Sequence, residues 1–221
     1  MENKIREFIY NRYNISFSKS GDDIQLMKLI NNRTPGAYVD IGCWHPVKAS
    51  NTYYFYVRGW KGICIDPNPE LKVLYDKFRP KDNFVNAGVG QTGTTLTYNM
   101  FEESSMNSFS KDFVNKHEGV SKIIKQFDIP LYSLKEILDT NLDKNDRLDF
   151  FDVDVEGFDL EVLKTNDWQV YRPKVIIIES DISIQNDISS ETTKYLDQQN
   201  YRLIGKSIIN GDLGNLFFIS K

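Results

Sequence analysis

One stretch limits the fold more than any other: Ala37-Tyr38-Val39-Asp40-Ile41-Gly42-Cys43-Trp44-His45-Pro46. It begins as a short apolar run, the pattern of a strand buried in a parallel sheet. It closes on Asp-x-Gly, where the chain must turn and where glycine permits positive φ and close approach of a ligand. A second apolar run, Gly62-Ile63-Cys64-Ile65-Asp66, also ends in an acid. A strand, a glycine turn, a helix and a strand ending in an acid make up a nucleoside-binding βαβ unit. Asp40 falls where open α/β sheets bind ligands, and Asp66 is placed to accept hydrogen bonds from a ribose diol.

The glycines that cradle a pyrophosphate are missing. G-x-G-x-x-G would bring backbone amides against the phosphates, but Trp44 and Val47 stand at the second and third glycine positions. A site with the ribose acid and no phosphate cradle suits a nucleoside without phosphates, and S-adenosylmethionine (SAM) is the common one. The plainer alternative is that Asp40 and Asp66 simply end strands in turns.

Composition narrows the class. A formal net charge of −4 gives no basic face for a nucleic-acid partner. The longest aliphatic run, Val175 to Ile178, is too short to span a bilayer, and the charged N-terminus has no signal-peptide core. Cys43 and Cys64 do not form a disulfide framework and read as buried thiols, which points to a cytoplasmic protein. The chain length suits one domain over residues 1–221, with 1–35 as an N-terminal helical extension. It is compatible with a homo-oligomer.

Along the chain, Ile24 to Ile30 has helical spacing with Asp22 or Asp23 as a cap. Ser50, Asn51 or Thr52 is expected to cap a helix to about Arg58, and Glu70 to Phe78 reads as another. Asn83 to Gly90 reads as a third strand and a glycine turn. Residues 91–126 are the least legible, with a strand at Thr94 to Tyr98 and a loop at Glu102 to Phe109 expected to shape an acceptor pocket. Leu131 to Leu138 looks helical. Asp149 to Asp154 is a fourth strand, Phe158 to Lys164 a helix, and Lys174 to Glu179 a fifth strand. A helix at Glu191 to Gln199 and strands at Tyr201 to Gly205 and Leu216 to Ser220 finish the chain. Alternating strands and helices predict an α/β, doubly wound, Rossmann-like sheet.

Taken in order, Y-V-D-I-G-C-W-H-P, S-N-T-Y, G-W-K-G-I-C-I-D-P-N-P, L-D-F-F-D-V-D-V-E-G-F-D-L-E-V-L and Y-R-P-K-V-I-I-I-E resemble the FkbM family of SAM-dependent methyltransferases. The likeness runs from about Gly36 to Glu179, with an echo in Ser20-Gly21-Asp22-Asp23. It implies the class I methyltransferase sheet of seven strands, mostly parallel with the last antiparallel. It also implies O-methylation of a sugar in a glycan or glycan precursor; other family members act on small natural products. Carried across by position, it puts Asp40 and Gly42 at the methionine and ribose side of SAM, Asp66 on the ribose with Asn68 beside it, and Asn86-Ala87 at the adenine. His45-Pro46 departs from the small residue and glycine common in the family.

Asp152, Asp154 and Glu156 alternate with valines, so a strand would aim all three at one face. Glu179 ends the next strand, with Asp181 two residues on. Asp154 and Glu179 could therefore offer oxygens to Mg²⁺ or Mn²⁺, or the acids could form a solvated turn at a helix N-terminus. Asp152-Val153-Asp154 also fits a metal-dependent glycosyltransferase, although the upstream unit has no pyrophosphate cradle. A non-enzymatic binding protein leaves the clustered acids unexplained. For methyl transfer, His45 is the first candidate base because its ordinary pKa is near neutral. Asp154 is the second, with Glu156 beside it.

Overall fold

The computed structural model describes residues 12, 13, 15–31, 34–117, 119–143 and 146–221. In chain order the elements are α1 (Asp22–Ile30), β1 (Ala37–Ile41), α2 (Tyr53–Tyr56), β2 (Lys61–Ile65), α3 (Lys72–Phe78), β3 (Asn83–Val85), β4 (Gly88–Val89), β5 (Thr95–Phe101), α4 (Lys111–Lys116) and β6 (Ile123–Tyr132). There follow α5 (Leu134–Asn141), β7 (Leu148–Val153), α6 (Asp159–Lys164), β8 (Val175–Ser180), α7 (Ile184–Ser189), α8 (Glu191–Gln198), β9 (Tyr201–Asn210) and β10 (Leu213–Ser220). Most of the segment before α1 read as helix and connector lies outside the described residues.

Seven strands form one sheet in the order β3-β2-β1-β7-β8-β10-β9. Only β10 runs against its neighbours, β8 and β9. Alternate side chains leave opposite faces of each strand, and the core divides accordingly. Val39, Ile63, Phe151, Ile176 and Phe218 pack on one face with α5, α6 and α8. Tyr38, Cys64, Phe150, Ile177 and Phe217 pack on the other with Leu26 and Ile30 of α1 and Phe55 of α2. Among the described residues no helix is long and apolar enough to cross a membrane.

A second, three-stranded sheet, β4-β6-β5, stands between β3 and α5. The strand expected at Thr94 to Tyr98 is present as β5, while the helix expected from Leu131 is corrected. Leu131 and Tyr132 end the strand β6, and the following helix starts at Leu134 behind a Ser133–Glu136 capping box. β6 was hidden because most of it is exposed, so it has no apolar period, and Pro130 interrupts it. The short helix α7 was not expected, and the closing hairpin is longer than predicted. At the start of α1, Gly21 holds the N-cap at φ 82 with no side-chain bond, and the fully buried Asp23 sits inside the first turn, where its carboxylate accepts from the Ile24 amide at 2.8 Å.

Candidate active site

The sheet register builds the floor of the site. Asp66, Asp40, Asp152, Glu179 and Asn215 each lie two residues from a core side chain on the α1 face: Cys64, Tyr38, Phe150, Ile177 and Phe217. Asp40 pairs in register with Asp152, and Glu179 with Asn215. The polar ends of five adjacent strands therefore meet in one cavity. It is also lined by Gly42, Trp44, His45, Asp154 and Glu156, and by Lys19, Ser104 and Asn107 from flanking segments.

Gly42 turns the chain at φ 79, where a Cβ would lie 1.8 Å from the backbone oxygen of Asp154. Its glycine requirement thus comes first from close packing of the β1 turn on the end of β7. The Asp66 carboxylate accepts hydrogen bonds from the amides of Asn68 at 2.8 Å and Trp44 at 3.2 Å. Burial pushes its pKa up to about 6 against the pull of those amides. Burial also raises Asp40 to about 6, opposed by the Arg79 guanidinium and a hydrogen bond from the Thr52 hydroxyl.

Asn68, Asn86 and Ala87 do not line the cavity. The Asn68 side chain caps a single 3₁₀ turn by accepting from the Glu70 amide at 3.0 Å, and Asn86 donates to the Asp66 carbonyl at 2.9 Å. Both shape the loops around Asp66.

His45 lines the cavity, but its Nδ1 accepts from the amides of Val47 at 3.1 Å and Lys48 at 3.0 Å. Those bonds use the lone pair that a base needs and leave the ring proton on Nε2. Burial, with Lys48 nearby, also lowers the imidazole pKa. As placed, His45 accepts at Nδ1 and has Nε2–H left to donate, unlike the free imidazole expected of a base.

The strand β7 ends at Val153, so the acids do not simply alternate along one face. Asp152 is bonded by the Asn51 amide at 3.2 Å. Glu156 sits beyond the strand at φ 50. Asp154, Glu156 and Glu179 nonetheless bring one carboxylate oxygen each within 4.8 Å of the others. Among the described residues, Asp154 Oδ1 is buried without a hydrogen-bond partner. Burial, then mutual repulsion, holds Asp154 well above the usual carboxylate range and Glu156 at about 10. No side chain caps α6; Asp159, in its first turn, instead accepts from the Val155 amide at 3.2 Å in the preceding loop. Asp181 turns away to pair with Lys116. Sequence reasoning missed Lys19, Asn51, Asn215 and the buried Arg79, because only the folded chain brings them to the strand ends.

Strand order and the antiparallel β10 define a Rossmann-like methyltransferase fold. The profile of the methyltransferase FkbM domain matches residues 36–203, and the chain belongs to that family. The protein is thus a methyltransferase with SAM as its cofactor. No curated protein sequence matches the chain. Among solved structures, precorrin-6y C5,15-methyltransferase from Geobacter metallireducens is 12% identical, with a TM-score of 0.50 over 90% of this chain and 87% of that one. The methyltransferase domain of METTL16 is 12% identical, with a TM-score of 0.51 over 89% of this chain and 65% of that one. At such identity the likeness is one of fold.

Proposed function

We propose that the protein transfers a methyl group from SAM to a hydroxyl of a sugar in a glycan or glycan precursor, with the Asp154–Glu156–Glu179 cluster serving the acceptor. The observation that carries this reading is the cluster itself: three carboxylates crowded in the SAM cavity, one with an unpartnered buried oxygen. Tyr98 and Phe109 on the cavity wall offer ring faces, and Ser104, Ser105 and Asn107 offer hydroxyl and amide groups, a mixture suited to a polyol. The family resemblance points to the same acceptor class.

SAM supplies a methyl group already activated on a sulfonium. Asp66 accepts from the ribose hydroxyls. Asp154 is the base: its raised pKa favours taking a proton, and a sulfonium nearby favours its ionised form beforehand. Asp154 receives the acceptor proton as the oxygen–methyl bond forms and the sulfur–methyl bond breaks, and His45 donates a hydrogen bond to hold the acceptor. Alignment and proton removal are the two tasks required.

A second reading gives Asp154, Glu156 and Glu179 to Mg²⁺ or Mn²⁺, favoured by the convergence of their oxygens. All-oxygen donors match those ions. Under it EDTA abolishes turnover and the ion restores it; under the first reading EDTA changes nothing. The acceptor is tested by incubating the protein with SAM labelled in its methyl group and with glycans, nucleotide sugars and small phenols. Label in the sugars supports the proposal. Label in the phenols alone overturns it.

A further inference from the structure

Two adjacent aspartates, Asp22 and Asp23, are fully buried, each 0% accessible, and neither lines the cavity. Their bonds fix the segment just before α1. Asp23 accepts from Ser16 Oγ at 2.7 Å and from the Phe17 amide at 2.6 Å. Asp22 accepts from Ser20 Oγ at 2.6 Å, from Ser207 Oγ on β9 and from Asn215 Nδ2 on β10 at 3.1 Å. The chain is thus pinned on both sides of Lys19 and tied to the far edge of the site.

Lys19 is left exposed on the cavity wall and forms no hydrogen bond or ion pair among the described residues. The cavity around it is lined by six carboxylates, Asp40, Asp66, Asp152, Asp154, Glu156 and Glu179, against two lysines, Lys19 and Lys48. Among the described residues these two are the positive side chains lining the cavity, so opposite charge favours an anionic group of a ligand at one of them.

SAM has one anion, the α-carboxylate, at the opposite end from its adenosine. With the ribose on Asp66 at the end of β2, the remainder crosses β1 toward β7. Two strand spacings are roughly 10 Å, which suits an aminobutyryl sulfonium chain reaching toward a flexible lysine. Lys19 stands at that far end, where its charge offsets the burial of Asp154 and Glu179. Lys48 acts instead on His45, in the loop after β1.

We infer that Lys19 binds the α-carboxylate of SAM, and that the buried Asp22–Asp23 pair holds it there. The inference rests on the cavity being the SAM site. The experiment is a calorimetric titration of wild type, Lys19→Met, Lys19→Arg and Lys48→Met with two ligands. One is S-adenosylhomocysteine. The other is methylthioadenosine, which keeps the nucleoside and sulfur but has no carboxylate. Loss of a hydrogen bond to a charged group should weaken S-adenosylhomocysteine about tenfold to a hundredfold in Lys19→Met. Methylthioadenosine should bind that variant like wild type, Lys19→Arg should recover much of the loss, and Lys48→Met should bind both ligands normally. Unchanged S-adenosylhomocysteine affinity in Lys19→Met, equal loss of both ligands, or a loss confined to Lys48→Met would each overturn the inference. Failure of wild type to bind either ligand would instead remove the SAM site on which it rests.

Discussion

Two groups of buried charge lie side by side on the α1 face of the sheet, and they are built in opposite ways. Around Arg79 every charge is satisfied. The guanidinium donates to Asp82 at 2.6 Å, to the Tyr38 hydroxyl at 2.6 Å and to Thr52 Oγ1 at 3.0 Å, and Asp82 also accepts from the Gly62 amide at 2.9 Å. Both charged side chains are fully buried. Around Asp154, three carboxylates face one another with an orphan oxygen. Folding leaves such a deficit only at a cost. The satisfied network therefore belongs to the scaffold, and the proposed function gives the unsatisfied cluster to the acceptor. Thr52 joins them, accepting from Arg79 and donating to Asp40.

The largest way to break this contrast is Arg79→Met. It strands Asp82 in the interior and should cost about 3–5 kcal/mol of stability in urea unfolding. Asp154→Asn should do the reverse. Turnover should fall on the order of a hundredfold as a base is lost, with stability unchanged or higher because a crowded charge is gone. A large loss of stability in Asp154→Asn would place that residue in the scaffold. Thr52→Val sharpens the boundary: losing bonds to two charged groups should cost about 1.5–3 kcal/mol by thermal unfolding.

The most gradual effect is a pH dependence, spread over about two pH units. The pKa of Asp66 is raised on folding from 3.8 to about 6, so the folded state holds that proton more tightly than the unfolded one. Its stabilising contribution is complete below about pH 4 and is lost as pH rises through about 6. The slope from one such group is at most about 1.4 kcal/mol per pH unit. Thermal unfolding of the SAM-free protein between pH 4 and 7 should show a shallower decline in Asp66→Asn than in wild type.

The floor of the site was legible because strands encode it locally. Asp40, Asp66 and Asp152 follow short, nearly continuous apolar runs, so their strand-end positions can be read directly, whereas the face they share comes from the sheet register. The strand Ile123–Tyr132 could not be read, since a mostly exposed ribbon buries too little to leave a pattern. His45 was read by its chemistry alone. Only the turn after β1, which aims two amides at its Nδ1, shows that its lone pair is in use. Arg79 and Lys19 carried no local signal. One is buried through partners on several elements, and the other is placed by bonds to strands near the opposite end of the chain.

The central claim is that these strand ends hold SAM through Asp66. Titration of SAM into wild type and Asp66→Ala at neutral pH tests it most directly. The account predicts one SAM per chain in wild type and affinity about tenfold to a hundredfold weaker in the variant. Equal affinity in the two proteins, or a wild type that takes a nucleotide-sugar diphosphate and ignores SAM, would contradict it.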